Sequence, residues 1–414
     1  MISDPTLNRP MTTAQPMVLR VGHTEGDLLG DSDKVLQAAI DYLYCIGGGG
    51  VLQIASGTYA MRNALYIRPG ISIKGNGEDT VLEKAAGTVT DLVQDADWYE
   101  ARIRVKNPAG FSTGCGIMLR SYDEMGRKVV VKDTVTNIEG DILSLTRRLD
   151  ENMWRSQKAT AATLFPILTA EYVDDVVVED LVLDGNKKGN DEINGNYGGG
   201  IFIQYCDRHT YRNVISRSYH GDGFSFQVCD DIHFDRCISE DNTNLGFHPG
   251  SGSQRPVLTD CESRHNDQGV FFCWGVSDGI VENCTVSDNG YGITIGHRDT
   301  DNRIVNSTIE HNAKAGILFR DEGEGFLAGH RNVIESCIIR DNGFDEAGIG
   351  IDMRKEPQNV EIRDSRFEDT GSGKQKIGIR IDKGIRSEII RNNTFHGLEF
   401  DIKDERTGSK YIGI

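Results

Sequence analysis

Gly200-Ile201-Phe202-Ile203-Gln204, Gly223-Phe224-Ser225-Phe226-Gln227, Gly246-Phe247-His248-Pro249-Gly250, Gly269-Val270-Phe271-Phe272-Cys273, Gly292-Ile293-Thr294-Ile295-Gly296 and Gly316-Ile317-Leu318-Phe319-Arg320 are six short segments, each led by a glycine. They follow one another at steps of 23, 23, 23, 23 and 24 residues, and Gly348-Ile349-Gly350-Ile351-Asp352 and Gly378-Ile379-Arg380-Ile381-Asp382 continue the series after longer steps of 32 and 30. A fixed period in the low twenties built on short strand-like segments predicts a solenoid. The period is too short for paired-helix repeats, and no leucine-rich consensus is present.

Two further ladders run in phase. Cys237, Cys261, Cys284 and Cys337 recur at one place in the repeat, with Ser307 taking one slot. Asn242, Asn266, Asn289, Asn312 and Asn342 recur at another, each preceded by Asp or His. Small side chains suit a narrow interior, and stacked Asn amides at a turn can bond to the turns above and below. Three in-phase ladders imply about three short strands per turn. The pattern resembles a right-handed parallel β-helix, and the expected fold class is all-β, about 23 residues per rung, in one domain spanning 1–414.

The N-terminal part supports the same reading. Residues 1–20 are polar and read as an arm. Ser32 and Asp33 precede an amphipathic run, Val35 to Leu43, that predicts a capping helix over 32–46 with an N-cap at its start. A Gly-rich turn at 47–50, Gly57-Thr58-Tyr59 and Gly75-Asn76-Gly77 follow. This succession resembles the N-terminal signature of pectate-lyase-like β-helix proteins. An open solenoid end would expose its apolar core, so a cap is expected. Residues 147–170 lack the rung pattern and read as a side loop or small lobe, and regular rungs are expected over 176–404. Inserts at 187–199, 321–331 and 368–375 belong on one face, which in solenoids is often the binding face.

Composition narrows the function. A net charge of −18 argues against nucleic acid as a partner. No apolar run approaches the roughly 20 residues needed to cross a bilayer. The first residues lack a basic region followed by an apolar core, so no signal peptide is visible; the chain reads as cytoplasmic or as one whose signal has been removed. The nine cysteines read as buried small hydrophobes rather than disulfides. Neither Ca²⁺-loop nor zinc-ligand spacing occurs, so no cofactor is expected, although a Ca²⁺ held by groove carboxylates stays open.

Alternation along each Gly-led strand turns the first and third residues after the glycine inward and the second and fourth outward. The outward column then holds Gln204, Gln227, His248, Phe271, Arg320 and Asp352, with Tyr205, Trp274, His297, Arg298, Asp321, Glu322 and Arg354 just past the strands. Rungs about 4.8 Å apart make four or five of them a groove about 20 Å long, the reach of a few sugar units. Aromatic rings with convergent polar groups suit a poly- or oligosaccharide.

The phrase Leu245-Gly246-Phe247-His248-Pro249-Gly250 interrupts the strand pattern with a proline, which lacks a ladder donor, and a Gly-Ser run. It resembles the Y-G-F-D-P-H phrase of alginate C5-epimerases, keeping Gly, Phe and Pro, but has His248 for Asp, Gly250 for His and Leu245 for Tyr. The resemblance therefore implies a site location and not a catalytic set.

Three functions stay in view. A polysaccharide lyase or C5-epimerase would use His248 or His297 as base, with Arg298 and Arg320 neutralising the substrate carboxylate. A β-helical glycoside hydrolase would need two facing carboxylates from Asp222, Asp230, Asp231, Asp321, Glu322 and Asp352. A carbohydrate-binding solenoid would need neither. Against these readings stand plainer ones: Asp222 as a turn former, His297 and Arg298 bonded to Asp299 and Asp301, and Arg320 paired with Asp352. Trp274 is the expected substrate platform, with Gln204, Gln227, Phe271, Tyr205, Asp352, Arg354 and Glu322 lining the groove. β-Helices of this kind also occur as trimers, so a homo-oligomer stays open.

Overall fold

The structure, a computed structural model, describes residues 16–46, 49–191, 196–406 and 410–411. The first fifteen residues of the expected arm, part of the turn at 47–50 and part of the insert at 187–199 lie outside these. Within them the chain coils as a parallel solenoid. One face is a sheet of twelve strands, and the other two faces form one continuous sheet of 22 parallel strands.

The corners explain why so short a repeat closes. Arg236, Asp260, Asn283 and Asn306 occupy left-handed backbone at φ 50–55° where the 22-stranded sheet bends. Another corner carries Asp241, His265, Asp288 and His311, again at φ 53–58°. Asn and Asp tolerate this conformation best because their short side chains bond locally. The Asn ladder follows each Asp or His. The Asn242 backbone N–H donates to Asn266 Oδ1 at 3.1 Å, Asn266 to Asn289 at 2.9 Å, Asn289 to Asn312 at 3.1 Å and Asn312 to Asn342 at 3.1 Å. Gln375 takes the next place, accepting from Asn342. A shorter amide pair, Asn302 and Asn332, runs at a different corner.

Stacked side chains fill the interior. Phe224 stacks on Phe247 with ring centroids 4.9 Å apart, and Tyr211 on Phe234 at 5.0 Å. Like residues on successive rungs land one above another, so parallel stacking follows from the repeat. All nine cysteines are free thiols, and the four of the ladder are buried. The leading glycines fit a close approach: a Cβ at Gly223 would run into Ser239 Oγ and lie 2.9 Å from Gly246 O.

Four expectations are corrected. The rung glycine after Gly316 is Gly350, because Ala315 pairs with Ile349 and Ile317 with Ile351. Gly348 instead sits at φ 70° in the insert, and the true steps are 34 and 28 residues. The helix spans Asp33–Cys45 and buries Leu36, Ala39, Ile40 and Leu43, but Ser32 makes no side-chain cap; Asp33 turns back to accept the Arg62 N–H at 3.0 Å. The lobe is not confined to 147–170. It is a six-stranded antiparallel sheet from Val89–Asp91 to Thr160–Ala162 with its own apolar core around Ile117, Val135 and Leu143. The coil resumes before 176, since Leu168–Glu171 already pairs with Leu65–Tyr66 below and Ile201–Gln204 above.

Candidate functional site

Register builds the outer column of the twelve-stranded face. Thr169, Phe202, Ser225 and His248 fall in line, and Phe271, Thr294, Leu318, Asp352 and Arg380 continue it. Outward does not mean exposed here. Ser225, Thr294 and Asp352 are fully buried under longer side chains that lie flat on the sheet.

His248 stands at the centre. Contrary to the expectation from its missing donor, Pro249 does not break the strand: Leu245–Pro249 keeps register, with Pro249 opposite Phe226 in the interior. The departure begins at Gly250, where a Cβ would collide with the Gln227 amide. Gln227 Oε1 accepts the Ser251 N–H at 2.9 Å, so this residue seats the Gly-Ser loop rather than facing the groove freely. His248 Nδ1 lies 2.7 Å from Asp222 Oδ2 and 3.2 Å from Ser225 Oγ, and Asp222 Oδ1 accepts the Leu245 N–H. Asp222 is thus more than a turn former. Nε2 is buried and meets no hydrogen-bond partner among the described residues. Burial alone penalises the imidazolium, but the Asp222 carboxylate outweighs it and, with a smaller pull from Cys273, raises the His248 pKa to about 9.

Phe271 sets its ring edge-to-face against His248, centroids 5.3 Å apart. On Phe271 lies the Arg320 guanidinium, 4.2 Å from the ring centroid. Arg320 does not pair with Asp352. It donates to Thr294 Oγ1 at 3.1 Å, Phe272 O at 3.0 Å and Glu322 at 3.1 Å, with Asp299 at 3.5 Å. These partners commit its donors, and its side chain is 7% exposed. Asp299 is held beneath it by the backbone N–H groups of Gly275, Val276 and Gly296, and burial raises its carboxyl above the usual range against those bonds and Arg320. His297 and Arg298 therefore do not bond to Asp299, and Asp301 pairs with Arg331.

Most of the remaining expected carboxylates are also engaged. Asp352 binds Arg354 at 2.8 Å and Arg380 at 2.6 Å, and Asp230 and Asp231 bind Arg255 at another corner, away from the groove. Glu322 is exposed beside Arg320, and Asp321 is exposed.

An aromatic edge runs along the ends of the strands. Tyr172 and Tyr205 stack at 4.8 Å and 5°, and Trp274 packs against His297 at 5.2 Å. Tyr172, Tyr205 and Trp274 hold left-handed φ of 52–55°, turning their rings outward, and are 71%, 43% and 54% exposed. Gln204 stands half-buried beside this edge, and Arg298 is exposed there, with no ion pair among the described residues. Tyr172 was legible only with the insertion between it and Tyr205 removed.

Sequence reasoning also missed Lys132, which arrives from the lobe. Strand Lys128–Glu139 carries its ammonium over the rings of Tyr197, at 4.2 Å, and Phe202, at 4.5 Å. Burial pushes its pKa down to about 8. No rung period reaches the lobe, so nothing in the sequence ties Lys132 to this face. Among the described residues no group of three or more His, Cys, Asp or Glu side chains is placed to hold a metal, and no helix is long and apolar enough to cross a membrane.

Residues 184–325 match the family model described as "Right handed beta helix region". The A-module of the Azotobacter vinelandii mannuronan C-5 epimerase AlgE4 superposes with a TM-score of 0.62 at 16% identity, covering 95% of this chain and 100% of that one. A structure named as a glycoside hydrolase gives 0.53 at 10% identity, covering 95% and 97%. The tailspike gp61 of Pseudomonas phage phi297 gives 0.51 at 13%, covering 90% and 70%. No curated protein matches. At these identities the likeness is one of fold: the chain is a right-handed parallel β-helix.

Proposed function

We propose that the protein is a carbohydrate-active enzyme that moves the C5 proton of a uronate unit in an acidic polysaccharide, as a lyase or a C5-epimerase. Structures that share its fold include a mannuronan epimerase and a glycoside hydrolase, which supports carbohydrate chemistry in general. The observation that favours proton abstraction is the His248–Asp222 pair. Nδ1 is bonded to a buried carboxylate, so Nε2 is the nitrogen left to exchange a proton with a ligand.

The base removes the C5 proton, and the electron pair moves into the substrate carboxyl. Expulsion of the O4 leaving group then gives a C4–C5 double bond; return of a proton to the opposite face gives the epimer. Charge on the carboxyl needs a cation. Arg320, whose guanidinium lies on Phe271 one rung from His248, is the cation in place for that role, whereas Arg298 follows Thr294 two rungs away. Trp274 offers the ring face for a neighbouring sugar. The hydrolase reading is weaker because the buried carboxylates of this face, Asp222, Asp299 and Asp352, are bound to His248, to backbone and Arg320, and to two arginines.

The test is incubation with mannuronate, guluronate and galacturonate polymers in D₂O. Absorbance near 235 nm reads elimination, and NMR reads deuterium at C5. Either signal, lost in His248→Gln, is the expected result. New reducing ends with neither signal would overturn the proposal in favour of hydrolysis.

A further inference from the structure

We infer that the cavity between the lobe and the first coils is a subsite for the carboxylate of a second sugar unit, held by the Lys132 ammonium above Tyr197 and Phe202. The inference rests on the groove being a saccharide site and adds a charge requirement at a second place along it.

The cavity encloses about 510 Å³ and is walled by Tyr66, Leu164, Phe165, Thr169 and Tyr172, with Lys132 on the lobe side. Its walls also carry Arg68, Asp133, Arg147 and Glu171, so apolar surface and convergent polar groups meet there, as a site for a polar ligand requires. Its wall residue Thr169 heads the outward column that runs to His248. Thr169 pairs with Phe202, Phe202 with Ser225, and Ser225 with His248, so Phe202 lies two rungs from His248, about 10 Å along the sheet. That distance is on the order of two sugar units, which places Lys132 beside a neighbour of the reacting unit rather than beside the reacting unit itself.

The cation has no direct partner, although the Glu171 carboxylate in the same cavity attracts it from beyond ion-pair distance. Among the described residues no carboxylate lies within ion-pair distance of Lys132 Nζ and no hydrogen bond from it is seen. The adjacent Asp133 accepts the backbone N–H groups of Thr134 and Thr146 and faces Arg147. Arg68, on the far wall, is tied to Asp41 at 2.9 Å. Two rings and a low-dielectric wall hold the ammonium in place, yet supply no lone pair for its three N–H groups. A carboxylate entering the cavity would supply them, and a charge-assisted bond in so sheltered a position discriminates strongly against a neutral sugar.

The test is titration calorimetry of the full chain with mannuronate, guluronate and galacturonate tetramers and with neutral cellotetraose. Lys132→Met keeps the length and packing over the rings without the charge; Lys132→Arg keeps the charge. The expected result is that at least one uronate tetramer binds, that Lys132→Met weakens it about ten- to a hundredfold, and that Lys132→Arg stays within about threefold. Equal affinity of wild type and Lys132→Met would overturn the inference, as would binding of cellotetraose as tight as that of every uronate, or binding of no uronate at all. Charge-dependent binding without C5 exchange or elimination would support the subsite while removing the proposed reaction, so the two ideas fail separately.

Discussion

Asp222→Asn tests the site most directly, because one atom changes and the electrostatic consequence has a sign. In the native protein burial works against the His248 imidazolium, and the carboxylate 2.7 Å away more than reverses this, lifting the pKa from 6.5 to about 9. At 1.36 kcal/mol per pKa unit, the net stabilisation of the charged ring is about 3 kcal/mol. Asparagine preserves shape and an acceptor for Nδ1–H but removes the charge. Only the smaller pull from Cys273 then opposes burial, and the pKa should fall below 6.5. At pH 7 the neutral fraction of His248 would rise from about one part in a hundred to a majority. Two readouts follow. The His248 ring resonance, titrated by NMR, should move from near pH 9 to below pH 6.5. The alkaline rise of kcat/KM should shift by the same interval, since a general base acts in its neutral form. Stability supplies a third. A pKa raised on folding contributes stability that is fully present below pH 6.5 and is lost as pH rises through about 9, so the melting temperature of the wild type should decline over that window and that of Asp222→Asn should not. A wild-type His248 that titrates near 6.5 and ignores the substitution would refute the reasoning.

Two further perturbations separate binding from folding. Trp274→Ala, at a ring 54% exposed, should leave the melting temperature unchanged and raise KM about tenfold for the uronate polymer that is turned over, read by steady-state kinetics; an unchanged KM would remove Trp274 from the substrate path. Asn289→Ala should destabilise the coil by about 3 kcal/mol, because its amide donates to Ser263 O and Asn312 and accepts from Asn266, whose buried N–H would lose its partner. Denaturant unfolding checks this, and a loss below about 1 kcal/mol would mean that the ladder is decorative.

The repeat was legible because parallel stacking sets each rung residue against its own equivalent. A Gly, Cys or Asn that fits once fits again 23 residues later. Register failed at Gly348 for a physical reason: an insert ends in Gly348-Ile349-Gly350-Ile351, and either glycine satisfies the sequence pattern. Only the pairing of Ile317 with Ile351 chooses between them. The lobe had no such signal. Its strands pair antiparallel across separations that share no period, so their partners could not be found by lining up repeats.

The site shows where a one-dimensional reading stops. Alternation placed His248, Phe271 and Arg320 on one face, and register agrees. Alternation could not show that Arg320 would fold back over Phe271, that two arginines would close over Asp352, or that the Gly250 gap would be filled by Gln227. Each is a long side chain reaching a rung away from its own position, a freedom that the strand period does not constrain. The same reach joins Asp222 to His248 across 26 residues and brings Lys132 onto Phe202 from a separate sheet. What separates His248 from the other polar residues of the column is therefore the state of its two nitrogens. One is fixed by a buried carboxylate, and the other is itself buried with no hydrogen-bond partner among the described residues, so it is the edge of the ring that a ligand reaching this site would have to meet.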